Sequence, residues 1–165
     1  MSLSRVLTDE FKERMAQDHG DMDINFSVIV LGAHYWPLKA PDSEFNIPAD
    51  ISPLYDRFSE YYRRKCSGRK LMWLWDHSRN ELRTNYLSHK HIFMTSSYQM
   101  AILLQYNDHD TLTLDELVTA TAINKDELMQ ALATLVEAGI LINKEKDQYD
   151  LNSGNLFPSS LRSCN

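Results

Sequence analysis

Residues 58–75 read FSEYYRRKCSGRKLMWLW, and residues 93–107 read FMTSSYQMAILLQYN. The first stretch runs from an aromatic helix face through a basic turn into an apolar strand. Alternation over Lys70–Trp75 puts Leu71, Trp73 and Trp75 on one face and Met72 and Leu74 on the other. Both faces of that strand need cover. The second stretch is a helix, Tyr98–Tyr106, whose MAILL centre calls for burial on nearly every side.

Upstream, Ile51, Leu54, Tyr55, Phe58, Tyr61 and Tyr62 recur at helical spacing. Ser52 is the expected N-cap, Pro53 the first helical residue, and Ser67-Gly68 the stop. Asn25–Leu31 reads as a strand apolar on both faces, ended by Trp36-Pro37 and a loop with Pro41 and Pro48. Before it, Leu3, Leu7, Phe11 and Met15 form one apolar stripe on a short helix over 3–16. Downstream of Trp75, a turn at Asp76–Asn80, a strand Leu82–Leu87 with one wet face, a turn at Ser88–Lys90 and a strand His91–Thr95 complete a small antiparallel sheet beside residues 26–31. Small sheets with apolar faces and open edges accept a strand from a partner.

After Ser96 the period becomes helical. Thr113-x-x-Glu116 is a capping box opening a second helix, and Asn124-x-x-Glu127 opens a third carrying Leu128, Leu132, Leu135 and Val136. Gly139 stands where a left-handed C-cap is wanted. Ile140–Asn143 and Tyr149–Leu151 flank a charged turn, so three helices precede a hairpin. That is the winged-helix order, with a helix-turn-helix at 113–138. Asn152–Asn165 is polar, Ser-rich and expected to fray. The expected class is therefore α+β.

With 165 residues, 43% hydrophobic and 24% charged, the chain fits one large or two small globular domains. No apolar run approaches the ~18 residues that span a bilayer, and no leader opens the chain, so an intracellular protein without a membrane partner is expected. Cys66 and Cys164 lie far apart, which argues against a disulfide framework and a cysteine zinc site. A net charge of -6 argues against broad nucleic-acid affinity. The rival reading, a winged-helix nucleic-acid binder, needs a basic recognition helix. The third helix offers Lys125 alone against Asp126, Glu127 and Glu137.

Candidate chemistry is thin. His89-Lys90-His91 has zinc-compatible spacing on a strand but no further ligands nearby, so solvated histidines are the better account. No phosphate loop, dinucleotide fingerprint or nucleophile elbow is present, and no cofactor is expected. Cys66 has a cationic setting, yet no base can be assigned to it. Arg63, Arg64, Lys65, Arg69 and Lys70 either dock an acidic tail or form a solvated helix end that suits the helix dipole.

Three motifs carry a resemblance. Asn25-Phe26-Ser27-Val28 through Trp36-Pro37, Ser67-Gly68-Arg69-Lys70-Leu71 with Trp73-Leu74, and Tyr98–Asn107 resemble, in order, the cullin homology region, most closely that of SCF-type cullins. The resemblance implies a non-enzymatic scaffold of a multisubunit ubiquitin ligase. It implies that 1–19 end a helical bundle, 20–95 form the α/β subdomain, 96–152 a winged helix and 153–165 a tail. It further implies that Phe26, Val28, Val30, Leu71, Trp73 and Trp75 meet a strand from a RING-box protein. Arg63, Arg64, Lys65, Arg69 and Lys70 would dock the acidic tail of the ubiquitin-conjugating enzyme that the RING protein recruits. A cullin-associated exchange factor is a further implied partner, and the implied location is cytoplasm and nucleus. Two departures stand out: Cys66 replaces the family's usual His before Ser-Gly, and SGNLFPSSLRSCN (153–165) has no family counterpart. The N-terminal adaptor-binding repeats and the second winged helix with its modified lysine are not covered. A C-terminal piece of a cullin is therefore expected, with a truncated decoy that sequesters the RING subunit as the alternative.

Overall fold

The computed structural model describes residues 3–17, 24–32, 45–83, 92–144 and 147–151. Readings at Trp36, Thr84–Leu87, His89–His91 and Asn152–Asn165 lie outside these residues. The protein is α+β, and it divides into two compact units: Met1–Ala40 with Asp50–Trp73, and Pro41–Ala49 with Leu74–Cys164.

In the first unit, helix α1 (Leu3–Gln17) carries the predicted stripe, with Leu7 and Phe11 buried and Met15 half-buried. Helix α2 (Ser52–Lys65) buries Leu54, Tyr55, Phe58, Tyr61 and Tyr62 on one face. The sequence misplaces its cap by one residue. Ile51 is the N-cap, and Ser52 Oγ instead reaches Asp56 at 3.5 Å on the next turn. Gly68, at φ +80°, ends the turn after α2 in the left-handed region that a side chain disfavours.

Rings fill the core of this unit. Phe58, fully buried, lies 5.2 Å from Phe11, 5.8 Å from Phe26 and 5.8 Å from Trp73 between ring centroids. Most of these pairs meet edge-on or tilted, the arrangement that the ring quadrupole favours.

Two expected strands are extended segments outside any sheet assigned among the described residues. Residues 24–32 and 69–74 belong to no ladder among the described residues. The apolar run at 70–75 is also shorter than the alternation implied, because Trp75–His77 forms a 3-10 turn. That turn places Trp75 in the second unit, buried against Phe45 at 5.1 Å between centroids.

The second unit continues with strand β1 (Arg79–Arg83) antiparallel to β2 (Ile92–Ser96), with Leu82 opposite Phe93. β1 begins three residues before the expected Leu82 because the 3-10 turn uses so little chain. Along β1 Asn80 and Leu82 are half-buried while Arg79, Glu81 and Arg83 are wet, and of the expected alternation over 82–87 only Leu82 and Arg83 fall among the described residues.

Helix α3 (Ser97–Gln105) starts from a capping box that the sequence reading passed over. Ser96 Oγ accepts from Gln99 N–H at 3.2 Å, and Gln99 Oε1 accepts from Ser96 N–H at 3.0 Å. Met100, Ala101, Ile102, Leu103 and Leu104 are all buried, as the MAILL run required. Helix α4 (Leu114–Thr121) carries the predicted Thr113/Glu116 box. Helix α5 (Lys125–Glu137) opens on Asn124, whose Oδ1 accepts from Asp126 N–H at 3.1 Å, and Gly139 follows it at φ +73°.

Strands β4 (Leu141–Lys144) and β5 (Gln148–Leu151) form the predicted hairpin. A short strand, β3 (Thr111–Thr113), pairs with β5 to give the order β3-β5-β4. The core gathers Ile102, Leu117, Leu128, Leu132 and Leu141, each almost wholly buried. Tyr106 donates its hydroxyl to the Tyr149 carbonyl at 3.0 Å, and burial, with Asp150 and Tyr149 nearby, pushes its phenol well above the usual range.

Candidate functional site

The extended segments of the first unit present the most distinctive surface. Residues 24–31 alternate: Phe26, Val28 and Val30 are half-buried, while Ser27, Ile29 and Leu31 face out. Phe26, Val28, Val30, Leu71 and Trp73 all pack on the same cluster of Leu7, Phe11, Leu54, Phe58, Tyr61 and Tyr62. Trp73 meets Tyr55 at 4.8 Å, Phe58 at 5.8 Å and Phe26 at 6.4 Å. The structure thus brings five of the six predicted strand-acceptor residues to one core. It places the sixth, Trp75, in the other unit.

One backbone edge of residues 28–30 is satisfied by helix side chains. Ser4 Oγ accepts from Val30 N–H at 2.9 Å and donates to Val30 C=O at 3.1 Å. Thr8 Oγ1 does the same for Val28, at 3.1 and 3.0 Å. Lys12 Nζ reaches Asn25 Oδ1 at 2.9 Å one turn further along. Sequence reasoning missed these residues. The signal was a polar line, Ser4-Thr8-Lys12, beside the apolar stripe Leu3-Leu7-Phe11, and such a line ordinarily means solvent. An open groove of about 410 Å³ follows this seam.

Among the described residues the basic run separates into paired and unpaired cations. Arg64 pairs with Glu60, and Lys65 pairs with Glu10 while donating to the Tyr61 hydroxyl at 3.3 Å. Tyr61 in turn donates to Glu10 Oε2 at 2.7 Å. Burial raises the Tyr61 phenol, with Arg14, 5.3 Å from the ring centroid, pulling the other way. Arg63, Arg69 and Lys70 are exposed and have no ion-pair partner among the described residues.

Thr113 donates its backbone N–H and hydroxyl to the Glu116 carboxylate, which holds that carboxyl below its usual range. Burial pushes Asp150 up, but hydrogen bonds from Lys144 and Thr111, with the Lys144 charge, more than reverse it. Cys66 is half-buried at the end of α2 beside the aromatic cluster. Among the described residues no three His, Cys, Asp or Glu side chains gather as metal ligands, and no helix is long and apolar enough to cross a membrane. On α5, Lys125 stands alone against Asp126, Glu127 and Glu137, so this helix would repel phosphates.

Comparison with known proteins agrees with the motifs. A family model described as the cullin alpha+beta domain matches residues 30–160. Cullin-1 of Dictyostelium discoideum is 37% identical over 146 residues, covering 86% of this chain and 19% of that protein. Cullin-1 of Schizosaccharomyces pombe is 34% identical over 151 residues, covering 90% of the chain and 19% of the relative. Cullin-4A of Homo sapiens is 30% identical over 161 residues, covering 95% of the chain and 21% of the relative. The chain therefore spans about a fifth of the length of these relatives.

Proposed function

The chain belongs to the cullin family, and from that premise we propose that it is a non-catalytic scaffold element of a multisubunit ubiquitin ligase whose first unit anchors a RING-box protein by accepting a strand. One observation carries this reading. Two extended segments, 24–32 and 69–74, converge on a single aromatic core, and neither takes part in a ladder among the described residues. Extended backbone with its side chains already seated on a core but its edge unpaired is what strand addition requires. The partner's main chain supplies the missing hydrogen bonds, and alternate side chains supply the fit.

Within the same reading, Arg63, Arg69 and Lys70 are the cations that receive the acidic tail of a ubiquitin-conjugating enzyme. Arg64 and Lys65 already hold Glu60 and Glu10. Paired surface cations add little to long-range attraction, while free ones speed encounter at low salt. The ligase location in cytoplasm and nucleus, and an exchange factor as a further partner, belong to this proposal as well.

Co-purification tests it. The folded chain should retain a RING-box protein through gel filtration. Failure to do so, when a longer cullin C-terminal region succeeds under the same conditions, refutes strand anchoring by this chain.

A further inference from the structure

Ser4 and Thr8 are one helical turn apart, about 6 Å along α1. Val28 and Val30 are two extended residues apart, about 6.7 Å. The two spacings nearly agree, and the chains run in opposite directions, Ser4 on Val30 and Thr8 on Val28. Each hydroxyl has one donor and can accept, and each spends both on a single residue, taking its N–H and giving to its C=O. That is the double exchange made by a hydrogen-bonded residue pair in an antiparallel ladder.

In extended backbone the N–H and C=O of successive residues point to opposite edges. Val28 and Val30 therefore face α1, and Ser27, Ile29 and Leu31 face the other edge, where the described residues offer them no backbone partner. We propose that Ser4 and Thr8 act as a substitute strand, closing the Val28/Val30 edge and leaving the Ser27/Ile29/Leu31 edge as the one that receives the partner's extended backbone. This rests on the strand-addition reading above and adds to it an edge and two positioning residues. It also sets the chemistry of the occupant. On the core side the added strand lies beside Phe26, Val28 and Val30. On the outer side it lies beside Leu31 and Ile29, the latter 79% exposed. An extended protein segment with apolar residues on both faces fits; a strand with one charged face does not.

Residue-resolved hydrogen exchange on the full chain tests the proposal. In the free protein the Val28 and Val30 amides should exchange more slowly than those of Ser27, Ile29 and Leu31. Ser4→Ala should speed Val30 about fivefold and leave Val28 unchanged, while Thr8→Val should speed Val28 alone and Thr8→Ser should restore it. Unchanged exchange at Phe11 and Phe58 shows that each variant keeps its core. Added RING-box protein should newly protect Ser27, Ile29 and Leu31. Equal exchange on both edges of the free chain, or variants that act without regard to residue, overturns the substitute strand whether or not a partner binds. A RING-box protein that binds without protecting Ser27, Ile29 or Leu31 overturns the edge assignment and leaves the scaffold reading standing. Absence of binding, where a longer cullin C-terminal region binds under the same conditions, refutes strand anchoring by this chain and with it the receiving edge, while the free-chain pattern still decides the hydroxyl pair.

Discussion

Replacing Phe58 by alanine probes the core on which the candidate site rests. Its side chain is fully buried, and five rings lie within 6.4 Å of it between centroids: Phe11, Phe26, Tyr61, Tyr62 and Trp73. Buried Phe→Ala changes cost about 3–5 kcal/mol, and the loss of two edge-on and two tilted partners places this one near ~4. Trp73→Ala removes a larger ring that is only half-buried and that, among the described residues, meets Phe26, Tyr55 and Phe58, so ~2–3 kcal/mol is expected. Ile29→Ala, at an exposed position, should stay within about 0.5 kcal/mol. Among the described residues the cluster around Phe58 contains none beyond Trp73, so the damage should be confined. Urea unfolding followed by circular dichroism gives the order of the three, and amide exchange locates the loss. Leu128 and Leu132 should keep their protection in Phe58→Ala while Phe11 and Leu54 lose theirs. A cost below about 2 kcal/mol for Phe58→Ala, or equal loss at Leu128, refutes the assignment of that core to the first unit.

Thr113→Ala should cost about 1 kcal/mol by chemical denaturation, since Thr113 caps α4. The Glu116 carboxyl is held below its usual range by Thr113, so its contribution is present above the unfolded value near ~4.3 and is lost as pH falls through the lower folded value. Amide exchange in the first turn of α4 should accordingly quicken on acidification below that range, and the change should vanish in Thr113→Ala. Arg69→Glu with Lys70→Glu should slow association with an acidic peptide several-fold at low salt and much less at high salt. Arg64→Glu should do less, because Arg64 already holds Glu60. Stopped-flow binding across ionic strengths checks both, and equal effects would remove the distinction between free and paired cations.

What was legible in the sequence was local. The stripe on α1, the aromatic face of α2, the Thr113/Glu116 box and the left-handed Gly139 each follow from residues within a turn or two of one another. Extended backbone at 25–31 was legible too, since Phe26, Val28 and Val30 alternate with Ser27, Ile29 and Leu31. Its pairing was not, because a ladder depends on what lies alongside, and here the neighbour is a helix. The same reason hid Ser4 and Thr8, whose hydroxyls gain meaning only when Val30 and Val28 arrive from 26 and 20 positions on. Trp75 misled because alternation cannot tell where a strand stops, and a 3-10 turn of three residues breaks the rhythm without a glycine or proline to announce it. β3 was missed for its length: three residues carry no period.

The helix and the segment beside it are also a pair of rulers with different graduations. A turn-and-a-bit of α1 advances about 6 Å while two extended residues advance about 6.7 Å, so each rung falls about 0.7 Å further out of step. Two rungs fit within the latitude of a hydrogen bond. By the third the offset exceeds a full ångström, and there the contact passes from a short hydroxyl on backbone to the long, flexible Lys12 reaching the Asn25 side chain. A vernier of this kind measures off a fixed length. It limits the stretch of chain that α1 can hold flat to a few residues around Val28 and Val30, and so limits how long a strand can be laid against its far side.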